Sequence, residues 1–251
     1  MKKNKTILIT GGAGRIGKIL ANDLLKEGHK VVLADIKISK PKKNIFYTNK
    51  NLFVFKSDLT KEKNIKLFIN FALKKVKHID VLIHCSYPKT KDWGIGIEDL
   101  NQNNLNLNIS NNLGASIILS KQIIKLFLKQ KSGNLILFSS IYGTNTPNFK
   151  DYSNKKILSP IEYGAIKSGI ISITKFLAKF YKKKNLRINC ISPGGIKDDH
   201  TKTFIKNYAK NCNSKGLLNA EDISGLVKFL ISDQSKYITG QNIVVDDGWS
   251  L

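Results

Sequence analysis

The 251 residues suffice for one well-buried α/β core, and apolar and charged shares of 41% and 24% exclude a disordered or fibrous chain. The formal charge is +24, but apart from Arg15 and Arg187 the 42 basic residues are lysines scattered among many asparagines and isoleucines. That pattern reads as a composition bias on solvated faces rather than a nucleic-acid surface, though such lysines can draw in phosphorylated substrates.

The chain opens with "MKKNKTILITGG", basic like an export signal, but its apolar run meets a glycine turn at once and reads as a first strand. No later apolar run approaches the ~20 residues that span a bilayer. Cys85, Cys190 and Cys212 stand far apart, with no CxxC and no histidine pattern beside them. They argue against a disulfide framework or a metal site and for a reducing, cytoplasmic setting.

Strands are expected at 6–10, 30–35, 52–58, 79–85, 133–140, 186–192 and 241–247, mostly as continuous apolar runs of the kind buried on both faces. Helical periodicity falls near 16–28, 61–77, 98–130, 161–182 and 220–232. The alternation predicts a single doubly wound Rossmann-type α/β domain over 1–251, a seven-stranded mainly parallel sheet with helices on both faces. Two long interruptions, 144–160 and 197–217, have the length of functional loops.

Between the first two strands, Gly11, Gly14 and Gly17 form G-x-x-G-x-x-G at the start of a helix, with Arg15 and Ile16 inside the motif. Strand, glycine turn, helix and strand is the context in which backbone N–H groups cradle a dinucleotide pyrophosphate. Asp35 ends the second strand, 21 residues after Gly14. A carboxylate there bonds an adenosine ribose and repels a 2′-phosphate, so NAD is expected over NADP, with Lys37, Lys40 and Arg15 softening the preference.

The stretch "DYSNKKILSPIEYGAIKSG" carries the same four-spaced pair twice, Tyr152 with Lys156 and Tyr163 with Lys167. Pro160 breaks any helix begun at Tyr152, whereas Tyr163 opens a sustained helical pattern. Tyr163 and Lys167 therefore share one rigid face.

From these residues the chain resembles the short-chain dehydrogenase/reductase family over nearly its whole length, through "TGGAGRIG", "SDLT", "GNLILFSSIYG", "YGAIKSGIISITKFLAKF", "RINCISPGGI" and "YITGQNIVVDDG". The resemblance implies that Tyr163 exchanges a proton with an alcohol or carbonyl oxygen while hydride passes to or from NAD. It also implies that Ser140, a better match than Ser139, bonds that oxygen. It further implies a helical asparagine near the lysine, best matched by Asn112, with Asn108 or Asn111 taking the role after a small register shift. Lys167 and an oxidised nicotinamide are expected to lower the phenol's pKa from ~10, each charge at ~4 Å and an effective dielectric of ~20 being worth about three units. By the same resemblance Asp58 and Leu59 contact the adenine, although Asp58 has an equal claim as a helix cap. Pro193, Gly194 and Ile196 match the segment that meets the nicotinamide, beside Asn189.

The chain departs from the family pattern in three places, the first being the glycine turn, where Arg15 occupies the middle glycine position of the usual T-G-x-x-x-G-x-G. After the fourth strand "HCSYPKTKDWG" stands where Asn-Asn-Ala-Gly is usual, and its His84 reads as a structural hydrogen-bonder before a second acid/base. Ser140 and Tyr163 lie 23 residues apart, which makes 144–160 an inserted loop expected to roof the pocket with Tyr152. Segment 197–217 is expected to be a lid, its Asp198, Asp199 and His200 read as solvated in preference to substrate contacts. "SYPKTKDWG", "SPIEYGAIKSG" and the C-terminal "SKYITGQNIVVDDGWSL" resemble the flagellin-modification oxidoreductases of bacterial surface-sugar biosynthesis, implying a phosphorylated, nucleotide-linked or amino sugar as substrate. The family usually forms homodimers or homotetramers through the helices near 100–130 and 161–182. The rival expectations are an NADPH-dependent reductase of 3-oxoacyl or other small ketones and a dinucleotide-binding scaffold without turnover.

Overall fold

Seven apolar runs become seven strands in the computed structural model, which describes residues 4–38, 49–152 and 158–251. They are β1 (Thr6–Thr10), β2 (Lys30–Asp35), β3 (Leu52–Lys56), β4 (Val81–His84), β5 (Gly133–Phe138), β6 (Leu186–Pro193) and β7 (Asn242–Val245). Their order is β3-β2-β1-β4-β5-β6-β7, and all six pairings are parallel. The expected architecture stands, with the sheet wholly parallel.

Alternation along the strands divides the core in two. Leu8, Val32, Leu82 and Leu135 face α2 (Glu62–Lys75), α4 (Ala115–Gln130) and α5 (Ile161–Phe180). Ile7, Ile9, Val31 and Leu33 face α1 (Arg15–Lys26) and α7 (Ser224–Ile231) on the other side. Burial on both faces explains why the strands read as unbroken apolar runs. A smaller cluster of Ile141, Tyr208, Leu217 and Trp249 packs beyond the sheet's edge.

The long pattern at 98–130 is not one helix. It comprises α3 (Gln102–Ile109), a π-helical segment Ser110–Gly114, and α4. Asn101 caps α3 by accepting the N–H groups of Asn103 and Asn104. Segment 197–217 likewise contains a helix, α6 (Lys202–Ala209), with Thr201 as its cap. β1 has β2 on one side and β4 on the other, so the strand order reverses there and the C-terminal ends of the strands open a crevice.

Candidate active site

The glycine turn leaves no room for side chains at its critical positions. Gly11 adopts φ +69°, and a Cβ there would lie 2.6 Å from the Ser86 backbone nitrogen. A Cβ on Gly17 would lie 2.3 Å from the Gly11 carbonyl oxygen. Gly14 caps α1, whose first bond is Lys18 N–H to Gly14 O at 3.0 Å. The N–H groups at the start of α1, over Arg15, Ile16 and Gly17, therefore lack intrahelical acceptors and form an anion cradle. Asp35, half-buried at the end of β2, accepts the N–H of Ala13 at 3.0 Å and of Lys37 at 2.8 Å, so it braces the turn as well as presenting a carboxylate beside it. Lys40 lies outside the described residues.

Asp58 accepts both the N–H and the hydroxyl of Thr60, at 3.0 and 2.8 Å, in a local turn ahead of α2, while Lys61 occupies the cap position. Its neighbour Leu59 packs against the core. At the far end of the crevice, Gly194 donates to the Val245 carbonyl at 2.8 Å. Leu218 N–H to Gly195 O and Lys197 N–H to Leu218 O form a parallel bridge around Ile196, leaving the N–H and C=O of Ile196 itself outside it. Pro193, Gly194 and Ile196 all line the cavity described below. Asn189 is fully buried and ties β6 to Ile238 and Gln241, a structural role.

The two adjacent serines after β5 divide their work. Ser139 donates to the Lys167 carbonyl at 2.8 Å, pinning α5 to the sheet, whereas Ser140 hydrogen-bonds the Tyr163 side chain and accepts the Tyr142 N–H. Ser140 is thus the one directed at the tyrosine. Lys167, 7% exposed, lies with its ammonium 5.5 Å from the Tyr163 ring centroid and 4.8 Å from that of Tyr87, and donates to the Phe138 carbonyl at 2.9 Å.

The electrostatics differ from expectation. The Tyr163 hydroxyl is pushed above the usual phenol value, chiefly by burial, and the Ser140 hydrogen bond opposes the rise. Burial also pulls Lys167 down, to about 8, which leaves the ammonium largely charged at neutral pH.

Asn112 lies in the π-helical segment and donates to the carbonyls of Pro88 and Asn108, both at 2.9 Å, while its buried Oδ1 has no hydrogen-bond partner. Asn108 instead bonds Thr90 and the buried Glu162. Ser116 gives its one proton to the Asn112 carbonyl at 2.6 Å. His84 Nε2–H must then donate to Ser116 Oγ at 2.9 Å, and Nδ1 accepts from Thr10 at 2.6 Å. Burial, with Lys167 adding to it, holds His84 down to about 3. His84 is a neutral tie between β1, β4 and α4, as the sequence reading prefers.

These groups surround a cavity of about 500 Å³ that runs from Arg15 and Ile16 past Ser140, Tyr163 and Lys167 to Ile196. Tyr87, Trp93 and Tyr142 set ring edges against Tyr163, with centroids at 5.1, 6.2 and 6.4 Å. Tyr152, on the inserted loop, joins the wall and packs on Phe204 of α6 at 5.2 Å; Lys156, its four-spaced partner, lies outside the described residues. Asp198, Asp199 and His200 line the cavity mouth, the two aspartates exposed as the solvated reading has them. Asp198 pairs with Arg15, and His200 stacks on Phe204 at 4.9 Å. The segment is anchored by Tyr208, 1% exposed, whose hydroxyl accepts the Gly195 N–H at 2.6 Å. Trp93, Tyr142 and Lys89 escaped the sequence reading; for Trp93 and Lys89 the available signal was the aromatic density of "SYPKTKDWG", where the family motif is absent.

The family model described as enoyl-(acyl carrier protein) reductase matches residues 11–250. The chain belongs to the short-chain dehydrogenase/reductase family, a family of oxidoreductases. Among curated members it is 39% identical to the post-translational flagellin modification protein A of Campylobacter coli, covering 100% of each chain. It is 30% identical to a 3-oxoacyl-[acyl-carrier-protein] reductase of Buchnera aphidicola subsp. Schizaphis graminum, covering 98% of this chain and 97% of that one. A short-chain dehydrogenase from Leptospira borgpetersenii, solved with bound NAD+, superposes with a TM-score of 0.89 at 32% identity, covering 99% of this chain and 94% of that one.

Proposed function

We propose that the protein transfers hydride between NAD and a secondary alcohol or its ketone. The observation that carries this reading is the Ser140–Tyr163 hydrogen bond inside one cavity that begins at the glycine cradle and passes Lys167. The residues fit a dinucleotide. The turn excludes every side chain at Gly11 and Gly17, Asp35 closes β2 with a carboxylate, and Ile196 has free backbone groups where an amide would dock. When bound, nicotinamide supplies the hydride acceptor or donor.

Tyr163 Oη exchanges the proton with the substrate oxygen, and Ser140 Oγ holds that oxygen in place. Asp35, Asp58, Leu59, Gly11, Gly14, Arg15, Ile16, Gly17, Pro193, Gly194 and Ile196 line the dinucleotide's path; Lys167 supports Tyr163 from beside its ring, and Asn112 acts through the Pro88 carbonyl next to Tyr87. Since burial raises the Tyr163 phenol, its ionisation depends on positive charge brought into the pocket and on Lys167 remaining protonated there. The similarity to the flagellin modification protein supports a sugar-like substrate, phosphorylated, nucleotide-linked or amino-substituted, in the cytoplasmic assembly of a surface glycan.

The similarity to a 3-oxoacyl reductase favours a second reading, a reductase of 3-oxoacyl thioesters using NADPH; the Asp35 carboxylate weighs against it. A homodimer or homotetramer is proposed on the exposed apolar stripe of α5, where Ile161, Phe176 and Phe180 are 58%, 64% and 68% exposed, beside Ile117 of α4. Screening phosphorylated and nucleotide-linked sugars for NADH formation tests the main reading, with Tyr163→Phe as control. Turnover of a 3-oxoacyl thioester with NADPH and of none of the sugars would replace it by the second.

A further inference from the structure

Three cations line the catalytic cavity, and they differ in how far they are already engaged. Lys167 donates to the Phe138 carbonyl, and Arg15 pairs with Asp198. Lys89 has neither kind of partner among the described residues. Its ammonium rests 3.4 Å from the Trp93 ring centroid, and Trp93 in turn lies 6.2 Å from the Tyr163 ring. The two distances hold this ammonium within about 10 Å of the Tyr163 ring centroid, a span that a sugar carrying an appended anionic group can bridge.

The ring fixes the cation without neutralising it. An ammonium over indole is attracted by the ring's negative face, and the contact removes rotamer freedom that a free lysine would have to lose on binding a ligand. Lys89 nonetheless pays for its setting: desolvation, with Arg15 adding to it and Asp198 opposing, lowers its pKa below the ordinary lysine value. An anion arriving in the cavity would reverse that penalty. Around the same space Tyr87, Tyr142, Tyr152 and Phe204 present rings, surfaces that suit the C–H faces of a sugar and carry no positive charge of their own. Asp198, the carboxylate whose field reaches Lys89, is itself paired with Arg15.

We propose that Lys89 determines substrate specificity by binding an oxyanion, phosphate or carboxylate, that the substrate carries at a distance from its reacting alcohol carbon. The inference rests on the oxidoreductase reading and narrows its substrate to an anionic, sugar-like alcohol. Lys89 lies in the segment that replaces the family's usual Asn-Asn-Ala-Gly, which accounts for an anion reader appearing there.

Binding, rather than turnover, tests it. Protein saturated with NADH is titrated by calorimetry with glucose 6-phosphate, glucuronate and glucose at one ionic strength. Both anionic sugars are expected to bind about tenfold more tightly than glucose, the phosphate more than the carboxylate. Lys89→Met, which keeps the stem on Trp93, should abolish that difference, and Lys89→Arg should retain most of it. Equal affinities for the three sugars, or binding of none, overturn the proposal. So does a parallel loss of NADH affinity in Lys89→Met, which would assign the cation to the dinucleotide. A failure of the oxidoreductase reading shows separately, as unchanged turnover in Tyr163→Phe.

Discussion

The Asp35 carboxylate accepts the Ala13 N–H at 3.0 Å, so the residue expected to select the cofactor also holds the glycine turn in shape. The two roles separate on substitution. Asp35→Asn keeps an oxygen for Ala13 and loses the charge that repels a 2′-phosphate. Its melting temperature should stay within the equivalent of about 1 kcal/mol of the parent. The ratio of NADPH to NADH affinity should rise by about tenfold, a change of about 1.4 kcal/mol. Asp35→Ala should weaken both cofactors, because the turn itself loses its brace. Fluorescence titration with each cofactor measures both variants, and an unchanged ratio in Asp35→Asn would remove the argument for NAD.

Ser139 and Ser140 are adjacent but should fail differently. Ser139→Ala removes a buried donor from the Lys167 carbonyl and should cost about 1–2 kcal/mol of stability by urea denaturation, with turnover reduced far less. Ser140→Ala should cost about 1 kcal/mol through the lost Tyr142 cap and lower kcat by ~10²-fold. Tyr163→Phe should lower it by ~10²–10⁴-fold. If Ser139→Ala proved the more damaging to kcat, the assignment of the two hydroxyls would be reversed.

How these serines were told apart shows what the chain alone reveals. The apolar runs and glycine spacing define strands, order of motifs and fold, because burial on both faces leaves no other use for them. Tyr163 was separable from Tyr152 because Pro160 permits only one helix. The choice between Ser139 and Ser140 becomes physical only when Ser139 N–H extends the sheet to Ile191 and its side chain turns under α5. The interruption at Ser110–Gly114 was illegible, since consecutive asparagines carry no apolar period to break. Lys89 and Trp93 were missed for a similar reason: a loop's side chains meet the site through tertiary packing, which no spacing rule encodes.

His84 makes acid stability a readout of the buried tie. Its folded pKa is depressed to about 3 from the ordinary 6.5. Below pH 6.5 the unfolded chain takes up a proton that the folded chain refuses, so stability is intact above that pH and falls as pH drops toward 3. The slope is on the order of 1.4 kcal/mol per pH unit from this group. His29, also held low mainly by burial, adds a contribution of the same sign. Urea melts at pH 7, 5.5 and 4 on the protein and on His84→Gln should show a shallower loss in the variant, although the variant starts less stable at pH 7. Parallel curves would mean that His84 is protonated in the folded protein.

Glu162, one residue before Tyr163, offers the sharpest test of packing at the site. It is 3% exposed; Oε1 accepts Asn108 Nδ2–H at 3.0 Å, and Oε2 has no hydrogen-bond partner. Asn108 also receives the Thr90 N–H and donates to its hydroxyl, so the pair fastens the start of α5 to the segment carrying Lys89 and Trp93. Removing the hydrogen-bond donor of a buried carboxylate costs more than neutralising it, because the desolvated oxygen is left without a partner. Asn108→Leu should therefore destabilise by about 2–3 kcal/mol at pH 7. Glu162→Gln keeps an acceptor for Asn108 and should cost no more than about 1 kcal/mol. Adding Glu162→Gln to Asn108→Leu should recover much of the loss, since the stranded charge is gone. Chemical denaturation of the three variants at pH 7 decides it, and additive costs in the double variant would show that the two side chains do not act as a pair.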